Sequence, residues 1–175
     1  MGPIRLSSTL IIGPPGSGKT TWAQRFVKAR ARGRVVVVHD PLGDWTDLGY
    51  FALAPDDFLS LQRSDIPNNA LVVVEEAGLA FPPACDRDNL VRGLLNQGRK
   101  QRIETVLLVQ RPRDIHGSAR SFCSKAAVFN TKNDDDRLWF RKNLGILPAT
   151  LDSLPEFEPA LWPSDKQTIW SPAQK

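Results

Sequence analysis

The sequence predicts an α/β fold in which a mostly parallel sheet is flanked by helices. Short apolar runs recur at 10–12, 35–38, 71–74 and 105–109, and the runs at 35–38 and 71–74 contain no polar residue. Runs of that kind suit strands covered on both faces. Stretches with helical spacing separate them, and residues that favour turns close each one. Strand and helix alternating along a chain is the pattern of a parallel sheet joined by crossover helices.

In chain order, the first strand covers 8–12 and the first helix 19–31. The valine run at 35–38 ends in the loop Asp40-Pro41-Leu42-Gly43-Asp44. Residues 49–53 suit a short edge strand. Residues 55–62 suit a helix with proline at its first position and acids in its first turn. The run at 71–74 passes directly into Glu75 and Glu76. Leu90, Val91, Leu94 and Leu95 form an apolar stripe within a helix expected over 86–99. The strand at 105–109 ends in Gln110-Arg111-Pro112. A short helix or loop then leads to a strand at 126–130. A helix over 134–144 opens with Asp134, Asp135 and Asp136, which complement its amino end rather than suggesting a metal site. Leu138, Phe140 and Leu144 are its packing residues.

At 175 residues the chain has the length of one domain. It divides into a core over 1–146 and a C-terminal extension over 147–175. There Pro148, Pro155, Pro159, Pro163 and Pro172 predict extended chain rather than further helix. The net charge of +4 permits a nucleic-acid partner without requiring one. Cys85 and Cys123 are the two cysteines, too few for a disulfide framework or a zinc site, which fits a reducing compartment. No apolar run approaches the roughly 18–20 residues of a membrane span, and the start lacks a secretory core. A soluble, cytoplasmic protein is therefore expected.

Residues 9–22 read T-L-I-I-G-P-P-G-S-G-K-T-T-W. This is the phosphate-binding pattern G-x-x-x-x-G-K-[ST] set between a strand and a helix. Gly13, Gly16 and Gly18 let the backbone curl so that successive N–H groups face one anion. Pro14, Pro15 and Ser17 complete the turn. The first helix offers its unpaired amides and positive end to the same phosphates. Lys19 is suited to the β- and γ-phosphates, Thr20 to Mg²⁺, and Thr21 follows them into the helix. The expected ligand is a nucleoside triphosphate, ATP, with Mg²⁺.

Two acids at the end of a buried strand resemble the acidic motif that accompanies this loop in ATPases. Glu75 would hold the metal and Glu76 would ready the attacking water; the plainer alternative is a solvated acidic loop. Gln110 is suited to sensing the γ-phosphate or the lytic water, or is simply a polar strand end. Arg92, Arg99, Lys100, Arg102, Arg111 and Arg113 form a basic group that ordinarily is a solvated face. An arginine given across a subunit interface to the transferred phosphate is the other reading. Trp22 and Trp139 are expected in the core, and Trp162 or Trp170 against the base.

The segments G-P-P-G-S-G-K-T-T, V-V-V-E-E-A and N-Q-G-R-K followed by V-L-L-V-Q-R-P-R-D-I look like the HerA–FtsK superfamily of P-loop DNA-pumping ATPases. The resemblance covers roughly 8–130, and its most telling part is the strand that ends in Gln110-Arg111-Pro112. The loop at 40–44 is similar to the one after that family's second strand. The chain looks most like the compact genome-packaging ATPases of tailless, membrane-containing viruses. What this resemblance implies is a RecA-like core and a homo-oligomeric ring, usually a hexamer. It also implies double-stranded DNA as the partner, with capsid or vertex proteins beside it, and a place in the host cytoplasm or on the virion. Carried over, Gly13–Thr20 bind the phosphates and Mg²⁺, Glu75 stands at the metal acid, Glu76 at the catalytic base and Gln110 at the sensor, with Arg99 the first choice and Arg92 the second for the arginine given across the interface. Two competing readings are a small nucleotide or nucleoside kinase and a phage assembly or secretion NTPase that uses ATP as a switch.

Overall fold

The computed structural model describes residues 8–84 and 90–163. The expected parallel sheet is there. The strands are β1 (Ser8–Ile12), β2 (Val36–His39), β3 (Phe51–Leu53), β4 (Leu71–Val74), β5 (Glu104–Val109), β6 (Cys123–Val128) and β7 (Ala160–Trp162). They lie in the order β3-β2-β4-β5-β1-β6-β7. Strands β1 to β6 pair parallel, and β7 alone runs antiparallel, against β6. Their carboxyl ends therefore share one rim, where ligands of open α/β sheets bind.

Alternation along each strand sends side chains to two cores. Leu10, Ile12, Val72, Val74, Leu107 and Val109 pack beneath α3 (Ala77–Ala80), α4 (Leu90–Gln97), α5 (Gly117–Phe122) and α6 (Asp134–Leu144). Ile11, Val36, Val38, Val73, Val106 and Leu108 pack against α1 (Lys19–Arg30) through Ala23, Phe26 and Val27. Burial on both faces explains why the central strands carry no polar face.

At the amino end of β5, Glu104 is fully buried and accepts hydrogen bonds from Arg30 Nε at 2.8 Å and Arg34 Nη1 at 2.7 Å. A buried carboxylate needs such partners. They tie α1 and the turn after it to the rim opposite the phosphate loop.

Several boundaries differ from expectation. Strand β2 starts at Val36 and ends on His39, because Val35 is exposed and His39 pairs with Val74. Strand β6 starts earlier than 126 because its pairing with β1 begins at Ser8–Cys123. Helix α4 stops at Gln97 and a 3-10 turn, Gly98–Gln101, follows it; the expected start at 86–89 and Cys85 lie outside the described residues. Helix α6 is capped by Asn133, whose side chain accepts from the Asp136 amide. On that helix Phe140 is buried but Leu138 faces solvent. Asp136 is more than a dipole complement, because it is buried in an ion pair with Arg111 Nε at 3.0 Å.

The extension is not simply extended chain. Pro148 opens a helix, α7 (Pro148–Asp152), since the first helical turn has no use for the missing N–H. Strand β7 then closes the sheet, and Leu151 and Ala160 join the core. The tryptophans also differ from expectation. Trp22 and Trp139 are only half-buried, while Trp45, in the loop after β2, is fully buried.

Candidate functional site: the phosphate loop and the paired acids

At the end of β1 the Gly13 amide donates to the Val109 carbonyl at 3.2 Å, and the chain turns through Pro14–Gly18 into α1. Gly18 caps that helix at φ +83° and Gly16 sits at φ +75°, a region where a side chain is strained. Gly13 has no such angle; its constraint is space. A Cβ there would lie 2.6 Å from Ser17 Oγ and 2.8 Å from Phe129 Cβ.

Pro14, Gly16, Ser17, Gly18, Lys19, Thr20 and Thr21 line one cavity of about 480 Å³. Gly13 lies buried beneath it, and Pro15 faces solvent without lining it. Ser17 Oγ is buried with no hydrogen-bond partner among the described residues, so a hydroxyl in the loop has its bonding capacity open. Lys19 is buried at the helix start. These groups fit a polyphosphate.

Glu75 follows β4 and is 1% exposed. Thr20 Oγ1 donates to its Oε1 at 2.7 Å, and Trp45 Nε1 donates to its Oε2. Burial pushes the Glu75 carboxyl above the usual carboxylate range, and the two hydrogen bonds and Lys19 oppose the shift. Two hard oxygen ligands already meet, Thr20 Oγ1 and Glu75 Oε1, which is the donor chemistry of Mg²⁺. Asp40 accepts the Asp44 and Trp45 amides, both at 3.0 Å, and so holds the turn that carries Trp45. His39 Nδ1 donates to the Glu75 carbonyl at 2.7 Å, and burial lowers the pKa of the ring.

Glu76 has φ +46° and ψ +53°, uncommon for a residue with a side chain. Gln110 Nε2 donates to its two carboxylate oxygens at 3.1 and 3.2 Å. These two residues do not line the phosphate-loop cavity; they line a neighbouring one of about 520 Å³ with Leu79, Val109 and Arg113. Strand β5 lies between β4 and β1 in the sheet, and the Thr20–Glu75 hydrogen bond joins the segments that follow those two strands.

Arg92 is half-buried on α4. The backbone of Arg99 lies in the 3-10 turn after α4, and its side chain lies outside the described residues. Trp162 sits in β7 opposite Ala126 and does not line the loop cavity; Trp170 lies outside the described residues. Instead the cavity reaches Trp22, Arg25 and Phe157. Trp45 and Phe157 are the site residues that sequence reasoning missed. The long-range contacts that define both leave no local pattern. Among the described residues, no group of His, Cys, Asp and Glu forms a separate metal cluster, and no helix is long and apolar enough to cross a membrane.

This fold and this loop are those of a P-loop NTPase. No family model matches the chain, and no curated protein does. Solved structures do. The genome packaging NTPase B204 from Sulfolobus turreted icosahedral virus 2, in complex with AMP, superposes with a TM-score of 0.70 at 15% identity over 92% of this chain and 93% of that one. B204, the DNA-packaging ATPase from Sulfolobus turreted icosahedral virus, gives 0.64 at 17% over 89% and 90%. The N-terminal domain of zonular occludens toxin from Neisseria meningitidis gives 0.52 at 21% over 73% and 78%.

Proposed function

We propose that the chain is an ATP-hydrolysing motor of the HerA–FtsK type that translocates double-stranded DNA and packages a viral genome into a capsid. The observation that carries the reading is the pairing of the two acids with different partners. Glu75 is joined to the loop hydroxyl of Thr20, and Glu76 is held by the Gln110 amide. The phosphate of a second nucleotide is an acceptor already ionised, whereas attacking water must be oriented and lose a proton, which a carboxylate held by an amide can take.

In this reading the loop amides and Lys19 hold the β- and γ-phosphates. Mg²⁺ held by Thr20 and Glu75 would neutralise charge on the phosphate oxygens. Gln110 aims the Glu76 carboxylate, and Glu76 takes a proton from water as the water oxygen bonds to the γ-phosphorus. The bond from that phosphorus to the bridging oxygen breaks, and its electron pair leaves with ADP. An arginine from a neighbouring subunit, Arg99, completes the charge balance in a ring, usually a hexamer. The likeness of the whole chain to packaging ATPases supports the motor and DNA assignments. A second reading, an assembly or secretion NTPase switched by nucleotide, draws support from the toxin domain, where the same core belongs to a protein not named for packaging.

Glu76→Gln tests the proposal. It is expected to retain nucleotide binding and to lose about 10²–10⁴-fold in phosphate release; retained turnover removes Glu76 from the base role. Wild-type hydrolysis is expected to rise with double-stranded DNA, alongside a ring-sized mass in Mg²⁺ and ATP. Slow hydrolysis indifferent to DNA selects the switch reading.

A further inference from the structure

We infer that the outer part of the phosphate-loop cavity is a slot that grips a nucleobase by its faces, formed by Trp22, Arg25 and Phe157, and that it leaves the base edges unread. The ligand class is therefore nucleoside triphosphates taken with little selection by base, rather than ATP alone. The inference rests on the reading that residues 13–20 bind a triphosphate.

Position along α1 is the first support. Lys19, Trp22 and Arg25 are spaced three apart, so each neighbours the next along the helix. Its rise of about 1.5 Å per residue puts Arg25 about 9 Å beyond Lys19. One continuous cavity holds all three residues, so a triphosphate held at Lys19 leaves room beside Trp22 and Arg25 for the rest of the nucleotide.

The second support is how the aromatic groups are held. Trp22 stacks on Phe26 at 5.3 Å between centroids with the planes 10° apart, and meets Phe129 edge-on at 6.4 Å. The ring is thus braced from behind, and what remains exposed lines the cavity. Phe157 comes from the segment between α7 and β7. It is 55% exposed and has φ +64°. A bulky residue at such an angle is a genuine outlier, and strain of this kind gathers where a ligand is clamped. Phe157 stands directly over the loop, since a Cβ on Gly18 would come within 3.0 Å of its own Cβ. Nothing in core packing calls for a strained, exposed phenylalanine there.

The third support is what the lining lacks. Among the described residues, none of the side chains lining this cavity is a carboxylate or an amide. Its polar side chains are those of the phosphate loop together with Arg25. A guanidinium can lie over a base face, and every base presents such a face. Discrimination by hydrogen bonding to a base edge needs a buried polar partner that would go unpaired with the wrong base. Arg25, the one polar side chain of the described lining beyond Lys19, Thr20, Thr21 and Ser17, is exposed, so it is not such a buried partner.

The test uses the full chain with Mg²⁺ and a fluorescent ATP analogue displaced by ATP, GTP or inorganic tripolyphosphate. ATP and GTP are expected to compete within about fivefold of each other, as faces without edges discriminate weakly. Phe157→Ala is expected to weaken both by about 5- to 150-fold, the loss of one base–aromatic stack, and to leave tripolyphosphate unchanged. Phe157→Tyr restores them. Because Phe157 lies outside the core, thermal unfolding of the variants is expected to match wild type. Three results overturn the slot: unchanged ATP affinity in Phe157→Ala, an equal loss for tripolyphosphate, or a preference for ATP over GTP beyond 100-fold. A wild-type chain that binds neither ATP nor tripolyphosphate overturns the phosphate-loop reading itself, a result distinct from the other three.

Discussion

Replacing Glu76 by alanine and, separately, by glycine measures how much backbone strain the proposed base carries. Both variants lose the hydrogen bonds from Gln110 Nε2, so that loss cancels between them. What differs is the backbone, held at φ +46° and ψ +53°. A residue with a Cβ pays about 1–2 kcal/mol in the left-handed region, and glycine pays almost nothing. Glycine loses more freedom on folding, which returns about 0.4–1 kcal/mol to alanine. The glycine variant is therefore expected to be the more stable by roughly 0.5–1 kcal/mol, the reverse of the usual order. For a chain of this length that is about 1–4 °C in melting temperature. Thermal unfolding without nucleotide, with urea titration as a check, reads the difference. An alanine variant as stable as the glycine one refutes the reasoning.

The remaining predictions concern other parts of the molecule. Burial and the Arg30 charge lower the Lys125 pKa to about 8 from 10.5, against an opposing pull from Glu104. The unfolded chain thus binds more protons between those values, so stability rises as pH climbs from about 8 toward 10.5. Urea titrations across that window are expected to show the rise in wild type and to lose it in Lys125→Met; equal slopes refute it. Subunits carrying Arg99→Ala are expected to regain hydrolysis when mixed with subunits carrying Glu76→Gln, because each intact base then meets an intact arginine. Mixed rings that assemble but stay inactive exclude Arg99.

The phosphate loop was legible because its demands are local. Gly16 and Gly18 are required by their own backbone angles, and Lys19 and Thr20 by their place at the start of a helix. The central strands were legible because burial on both faces removes every polar residue from Leu71–Val74. Periodicity reports that an element is buried, however, and not which loop crosses which strand end. Trp45 reaches Glu75 across 30 positions, and Phe157 reaches Gly18 from the far end of the described chain. Strand β7 escaped notice because three residues among prolines carry no alternation long enough to read. Arg111 belongs to the basic group by composition, but Asp136, 25 positions on, pairs with it at 3.0 Å, and no local pattern reports a partner that far along the chain.

Because β1, β2, β4 and β5 all run the same way, the phosphate loop, Asp40, Glu75 and Gln110 are gathered where those strands leave the sheet, while the apolar residues of the strands lie between the two helical layers. Interior aliphatics can therefore be exchanged for one another at equal volume without moving that margin. This chain and B204 share 15% of their residues at a TM-score of 0.70, which is what a scaffold specified by apolar pattern rather than by residue identity allows.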